Sequence, residues 1–293
     1  MSLNAVKMLG ISVTISPKDT ILEYLEKGLE KPSIKQKKSL VIVTPNPEQI
    51  VRAQKDKRFA EILNRADVSI PDGIGLALVM RLQRIPGVEL MEDLVAMAAK
   101  RGYPVALIGG RAGVAVEALE CLRTRFPGLA LRSGATNGWA MEPGELEIGN
   151  ISNVGNVGRL KTITEKIRST GTRIVFVGLG APKQEYFIAR LAHDMSFRPP
   201  SRNPEKKGWI PGQARDDKRI VFISVGGSFD IIAGRTPRAP SFVRTVGLEW
   251  FWRLVCEPWR WKRQLALLKF LWLVATSRTA RSNLENDALE ANL

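Results

Sequence analysis

The amino-acid sequence predicts an α/β protein: a doubly wound, mostly parallel sheet flanked by helices, followed by a basic, aromatic, helical C-terminal appendage. Three observations predict it. Five short runs are mainly apolar, as strands covered on both faces are. Each run ends in a glycine-rich or polar turn, and segments of helical length separate most of them.

The first run, Leu40-Val-Ile-Val43, ends at Thr44-Pro-Asn-Pro47 and leads into a helical pattern from Glu48 to about Arg65. The second, Val68-Ser-Ile70, ends at Pro71-Asp72-Gly73, with a helical segment from Gly73 to Arg84 behind it. The third, Val105-Ala-Leu-Ile-Gly-Gly110, passes through Arg111-Ala-Gly113 into a helix running to about Arg125. The fourth, Ile174 to Val177, passes through Gly178-Leu-Gly-Ala-Pro-Lys183 to Gln184 and Glu185. The fifth, Ile220 to Val225, leads into Gly226-Gly227 and Ser228-Phe-Asp230.

Open parallel sheets bind ligands outside the carboxyl ends of their strands. Thr44, Asn46, Asp72, Gln184, Glu185 and Asp230 are therefore expected on one face. Gly178 and Gly180 let backbone amides come close to a ligand, and Pro182 suits a first helical turn whose free N–H groups favour an anion. The same turn also fits a plain strand-to-helix connection without a ligand. Asp72 has two readings as well: a carboxylate on a rigid strand end with glycines leaving room for a substrate is a general base, and Asp before Gly-Ile-Gly is a helix N-cap. Asp230 reads as a cap or an ion-pair residue.

The organisation expected is a core over 1–243, interrupted by a mobile loop at 196–218, an appendage over 244–281 and a disordered polar tail at 282–293. The loop, Ser196 to Lys218, holds four prolines and mixed charges that cannot build a core, and resembles the translation of an inserted bacterial repeat element. Cys121 and Cys256 stand in helical patterns and not in redox or zinc spacing, and the N-terminus shows no charged lead before a long apolar run, so a cytoplasmic protein is expected. A homo-oligomer is compatible with the sequence. The net charge of +15 points to a polyanionic partner such as an anionic membrane, nucleic acid or a phosphorylated substrate.

Between Arg235 and Arg263 arginines alternate with Trp250, Phe251, Trp252, Trp259 and Trp261, and the run from Leu265 to Ala275 follows. Arginine and tryptophan beside an apolar stripe suit a helix lying among lipid headgroups. The run is too short to span a bilayer, which takes about 20 residues. At helical spacing Trp250, Leu254, Trp261 and Leu265 share a face, while Arg253, Glu257 and Arg260 share another, with Pro258 bending the segment. The aromatics serve equally to pack on the core.

Several motifs stand in a fixed order: Thr44-Pro-Asn46, Pro71-Asp72-Gly73-Ile-Gly75, Gly178-Leu-Gly-Ala-Pro-Lys-Gln184-Glu185, Val225-Gly-Gly-Ser-Phe229-Asp230, Ala233-Gly234-Arg235, Arg238-Ala-Pro240, Gly247-Leu-Glu-Trp250, Arg253-Leu and Glu257-Pro258. From about Leu9 to about Gln264 the chain resembles the WecG/TagA/CpsF glycosyltransferases. The resemblance implies a Rossmann-like α/β core and inverting, metal-independent transfer of an N-acetylmannosamine-type sugar from a UDP donor to a polyprenyl-diphosphate-linked sugar in surface-polymer synthesis, on the inner face of the cytoplasmic membrane, with no cofactor. It implies Asp72 as the base that deprotonates the acceptor hydroxyl, and Thr44, Asn46, Gln184 and Glu185 near the reacting sugars. Arg84 would be a cation for the diphosphate, and Arg253, Arg260 and Arg263 would meet the lipid diphosphate at the anionic membrane surface. One His and two Cys leave no metal-ligand cluster in the sequence to do that work. Glu89 replaces the family's acidic Asp after the Arg-x-x-Gly segment, the loop from Arg81 to Arg84 is shorter than usual, and the 196–218 insert is foreign to the pattern.

Two other classes use parts of this pattern. A nicotinamide-dependent oxidoreductase wants Gly-x-Gly-x-x-Gly on an early strand with an acidic residue about 20 positions on, and Gly109-Gly-Arg-Ala-Gly113 lacks that spacing. A nucleic-acid-binding protein would explain the charge and the Arg/Trp interleaving, but no zinc finger or recognition motif accompanies them.

Overall fold

Six strands lie side by side in the order β4-β3-β8-β7-β5-β6 in the computed structural model, which describes residues 2–30, 39–129, 138–141, 157–196, 219–240, 243, 249–258 and 261–277. They are β3 (Ser39–Val43), β4 (Val68–Ser69), β5 (Val105–Gly109), β6 (Gly138–Met141), β7 (Ile174–Gly178) and β8 (Ile220–Ser224). Every neighbouring pair is parallel. Five are the strands the apolar runs predict. The edge strand β6 and an antiparallel hairpin, β1 (Ala5–Met8) with β2 (Ile11–Thr14), are additions.

The alternation along each strand sorts the core into two layers. Ile174 and Phe176 of β7 enter one layer with Leu25, Leu94 and Leu119, while Val175 and Val177 enter the other with Ile167, Ile188 and Leu191. The first layer is built by α1 (Lys18–Glu30), α5 (Gly87–Arg101) and α6 (Val114–Arg125), the second by α7 (Val157–Ser169) and α8 (Lys183–Ser196). Each of these side chains is wholly buried or nearly so, except Leu119 at 4% exposure, and burial of such a residue stabilises by roughly 1.5–3 kcal/mol.

Helix boundaries depart from the periodic pattern where side chains intervene. The segment from Glu48 to Arg65 is two helices, α2 (Pro47–Ala53) and α3 (Lys57–Arg65), because Asp56 caps the second by accepting the Phe59 N–H at 3.0 Å. The segment after Asp72 shortens to α4 (Ile74–Val79), which ends where Arg81 adopts a left-handed φ of 52°. After β8 comes the short α9 (Ser228–Ile232).

The C-terminal region forms α10 (Glu249–Cys256) and α11 (Trp261–Thr276) instead of one bent stripe. Phe270 and Val274 of α11 are buried with Met8, Val13, Ile50, Leu76 and Met80, and Leu267 crosses α4 at Gly75, where any Cβ would collide with it. The other side of α11 is bare: Trp261, Leu265, Leu268 and Trp272 are each more than half exposed. Among the described residues no helix is long and apolar enough to cross a membrane. The 196–218 loop apart from Ser196, Arg260 and the 282–293 tail lie outside the described residues.

Candidate active site

The carboxyl ends of β3, β4, β5, β7 and β8 converge on one cleft of about 420 Å³, within the range of small-molecule sites. Thr44, Asn46, Asp72, Arg84, Gln184 and Asp230 all line it. Glu185 does not reach it. Its side chain is wholly buried behind Gln184.

Asp72 stands at the end of β4, where its N–H donates to the Pro45 carbonyl at 3.0 Å and ties the β4 turn to the β3 turn. The N-cap of α4 is Gly73, so Asp72 stands one residue before the helix cap. Gly73 has φ 102°, a conformation in which other residues are strained. The turn therefore aims Asp72 into the cleft and starts the helix one residue later. Arg84 Nη2 lies 3.8 Å from Asp72 Oδ1, with both side chains largely shielded from solvent. A Cβ at Gly87 would stand 3.9 Å from Asp72 Oδ2 and 4.0 Å from Thr44 Cγ2, so the glycine keeps open the space in front of both.

Thr44 is fixed from below by β8. Its N–H donates to Ser224 Oγ at 3.3 Å, and its hydroxyl donates to the Ser224 carbonyl at 3.2 Å, leaving the hydroxyl oxygen able to accept from a ligand. Asn46 caps α2, its Oδ1 accepting the Gln49 N–H at 3.0 Å, so it offers the cleft its amide donors. Gln184 is held at both ends: Oε1 accepts from the Gly226 N–H at 3.1 Å, and Nε2 donates to Glu185 Oε1 at 2.8 Å. The Ala181–Pro182 peptide before α8 is cis.

Glu185 carries the strongest electrostatic signature at the site. Burial pushes its carboxyl up to about 7, against hydrogen bonds from Gln184 and Ser224 and the attraction of Arg52, which pull it down. Gln49 Nε2 lies 3.4 Å from the same Oε1.

Sequence reasoning passed over two site residues. Gln49, buried at 4% exposure, sits inside a helical pattern with nothing to mark it. Arg111 lines the cleft at the end of β5, with Nε 3.7 Å from Asp230 Oδ1 and Nη2 3.5 Å from Glu257 Oε1. Its signal was its position just after a strand and between glycines. Through Glu257 it also joins the C-terminal region to the cleft wall. Arg253 and Arg263 belong to α10 and α11, but their side chains lie outside what the structure describes, and Arg260 falls outside the described residues. Among the described residues no group of three or more His, Cys, Asp or Glu side chains is placed to hold a metal ion.

A family model described as the glycosyl transferase WecG/TagA/CpsF family matches residues 6–199 and 203–284. The chain belongs to that family. This glycosyl transferase is 29% identical over 257 residues to the N-acetylglucosaminyldiphosphoundecaprenol N-acetyl-beta-D-mannosaminyltransferase of Bacillus subtilis (strain 168), covering 86% of this chain and 83% of that one. It is 30% identical over 259 residues to the protein of the same name from Bacillus spizizenii (strain ATCC 23059 / NRRL B-14472 / W23), covering 86% of this chain and 85% of the relative. Every strand end that lines the cleft of the glycosyl transferase falls inside the matched residues, as do α10 and α11.

Proposed function

We propose that this glycosyl transferase moves an N-acetylmannosamine-type sugar from a UDP donor to a polyprenyl-diphosphate-linked sugar, with inversion and without a metal ion, and that Asp72 is its general base. The observation that carries the reading is the Asp72 carboxylate lining a cleft kept open by Gly87, with Arg84 3.8 Å away. The named activity of the two Bacillus relatives supports the choice of sugar and acceptor.

In this reaction the acceptor hydroxyl gives its proton to Asp72 as its oxygen attacks the anomeric carbon from the side opposite the nucleotide. The bond from that carbon to the β-phosphate oxygen breaks, and UDP leaves with the electron pair. Charge builds on the departing diphosphate, where arginine side chains and the amides of glycine turns act as electrostatic stabilisers. Arg84 and the turns at Gly178, Gly180 and Gly226 line the cleft, which supports that role for them. Thr44, Asn46 and Gln184 supply hydroxyl and amide contacts to the sugars.

The appendage, 244–281, is proposed to hold the enzyme on the inner face of the cytoplasmic membrane. The bare side of α11 supports this, as does the basic charge of the chain, with Arg253, Arg260 and Arg263 meeting lipid or acceptor phosphates. Co-sedimentation with anionic vesicles tests the attachment, and protein left in the supernatant at low salt overturns it.

The transfer itself is tested by mass analysis of products from a panel of UDP-sugars and a short-chain polyprenyl-diphosphate-linked acceptor. Asp72→Asn should lower the rate by roughly 100- to 10,000-fold while UDP binding, read by calorimetry, persists. A variant within a few-fold of the wild type refutes the base assignment.

A further inference from the structure

We infer that Glu185 is a positioning residue of the transferase site: its buried carboxylate, when ionised, locks the Gln184 amide and the Thr44 end of β3 into the cleft wall, and a proton on it releases them. The inference rests on the proposed transferase reaction.

The geometry makes Glu185 the hub of the wall. Gln184 Nε2 donates to it at 2.8 Å, and because that orients the amide, Oε1 is left to take the Gly226 N–H at 3.1 Å. Ser224, whose hydroxyl helps to favour the ionised carboxylate, takes the Thr44 N–H at 3.3 Å and the Thr44 hydroxyl at its carbonyl at 3.2 Å. One carboxylate thus sets the position of groups at the ends of β3, β8 and α8. An ionised carboxylate only accepts hydrogen bonds, which forces Gln184 to present Nε2 inward and Oε1 to the Gly226 turn.

Two atoms show what the neutral form would do. Glu185 Oε2 and Gln49 Oε1 are both buried acceptors with no hydrogen-bond partner, and Gln49 Nε2 is only 3.4 Å from Glu185 Oε1. A proton on Glu185 Oε1 gives the Gln49 oxygen a donor once the Gln49 amide turns that oxygen inward. The carboxyl then spends itself on Gln49 and accepts less strongly from Gln184 and Ser224, so the clamp loosens.

The groups that bias the proton are few. Arg52 on α2 favours the ionised form, burial favours the neutral one, and β8 brings the Ser224 hydroxyl. On α8 the neighbouring Tyr186 is turned away to Asp56, its hydroxyl 3.0 Å from both carboxylate oxygens, with Arg58 of α3 over its ring. The balance places the change in protonation near neutral pH.

The experiment is a pH profile of kcat and KM from pH 5.5 to 9 for the wild type, Glu185→Gln and Glu185→Asp, using the UDP-sugar and acceptor pair that the wild type turns over. Wild-type kcat should rise through a step near pH 7. Glu185→Gln should lose the step and fall roughly 10- to 100-fold at pH 8, the scale on which misplaced site groups act, with KM for the donor within about 3-fold. Glu185→Asp should restore a step. In parallel, carbon NMR of the wild type, labelled at glutamate side-chain carboxyls, should show one carboxyl titrating near pH 7 that is missing from Glu185→Gln. A step that persists in Glu185→Gln, or a wild-type protein with no such titrating carboxyl, overturns the inference even where the variant folds poorly. Failure of the transferase reading looks different, because the wild type then transfers no sugar at any pH.

Discussion

Cutting Phe270 back to alanine tests how α11 is attached. Phe270 is wholly buried and is the largest side chain by which α11 meets Met8, Ile50, Leu76 and Met80, with Val274 and Leu267 on either side. A Phe→Ala change in a core costs about 3–5 kcal/mol when the surroundings cannot collapse. Here they have another way out, since α11, held among its described side chains by Leu267, Phe270 and Val274, can lift off, which caps the global loss at its docking energy. Taking the lower figure, about 3 kcal/mol, the undocked population rises by roughly 100-fold, at about 1.4 kcal/mol per factor of ten. Hydrogen exchange read by mass spectrometry separates the cases. Peptides spanning 261–277 should exchange about 100-fold faster in Phe270→Ala, while peptides of β3, β7 and β8 keep their protection. Unchanged protection of α11 would refute the docking argument, and equal loss in the sheet would show that α11 belongs to the cooperative core. Because Leu267 covers Gly75 of α4, the lifted helix should also loosen the Asp72 turn and slow transfer.

Two further outcomes follow from the same geometry. Folding raises Glu185 from the ordinary 4.5 to about 7, so it favours the neutral form; that stabilisation is complete below pH 4.5, declines as pH rises and is gone above about 7. The denaturant-measured stability difference between the wild type and Glu185→Gln should therefore shift by roughly 3 kcal/mol against the wild type from pH 4 to 8, and a difference flat with pH would contradict the burial argument. Gly178→Ala would place a Cβ 2.8 Å from the Phe229 ring and 3.0 Å from the Gly226 carbonyl, so it should cost about 1–3 kcal/mol and lower transfer by shifting the Gly226 turn; wild-type stability in urea would show that the turn has slack.

The five strands were legible to within about a residue at most ends because a strand buried on both faces leaves an unbroken apolar run with a turn behind it. The hairpin β1–β2 and the edge strand β6 were not, being four residues each with mixed or partial burial. The pattern from Glu48 to Arg65 hid a break because the apolar spacing carries through the Asp56 cap. At the cleft, polar residues on strand ends stood out, but their division of labour did not. Gln184 and Glu185 are adjacent in sequence, and a step of one residue turns a side chain by about 100° around a helix, so one lines the cleft and the other enters the core. Gln49 acquires its role only through a contact 136 residues away, which no local pattern records.

The strand order has a consequence for synthesis. β8 lies between β3 and β7, yet it is the last strand of the sheet to leave the ribosome. Until residue 224 has emerged, β3 with β4 and β7 with β5 and β6 are separate fragments, each showing an unpaired inner edge and apolar surface meant for the middle of the molecule. Such edges template pairing with other chains, and long-range parallel pairing is slow to close. The nascent protein is therefore most exposed to aggregation over the stretch of translation just before β8, a stretch that the residues between α8 and β8 prolong.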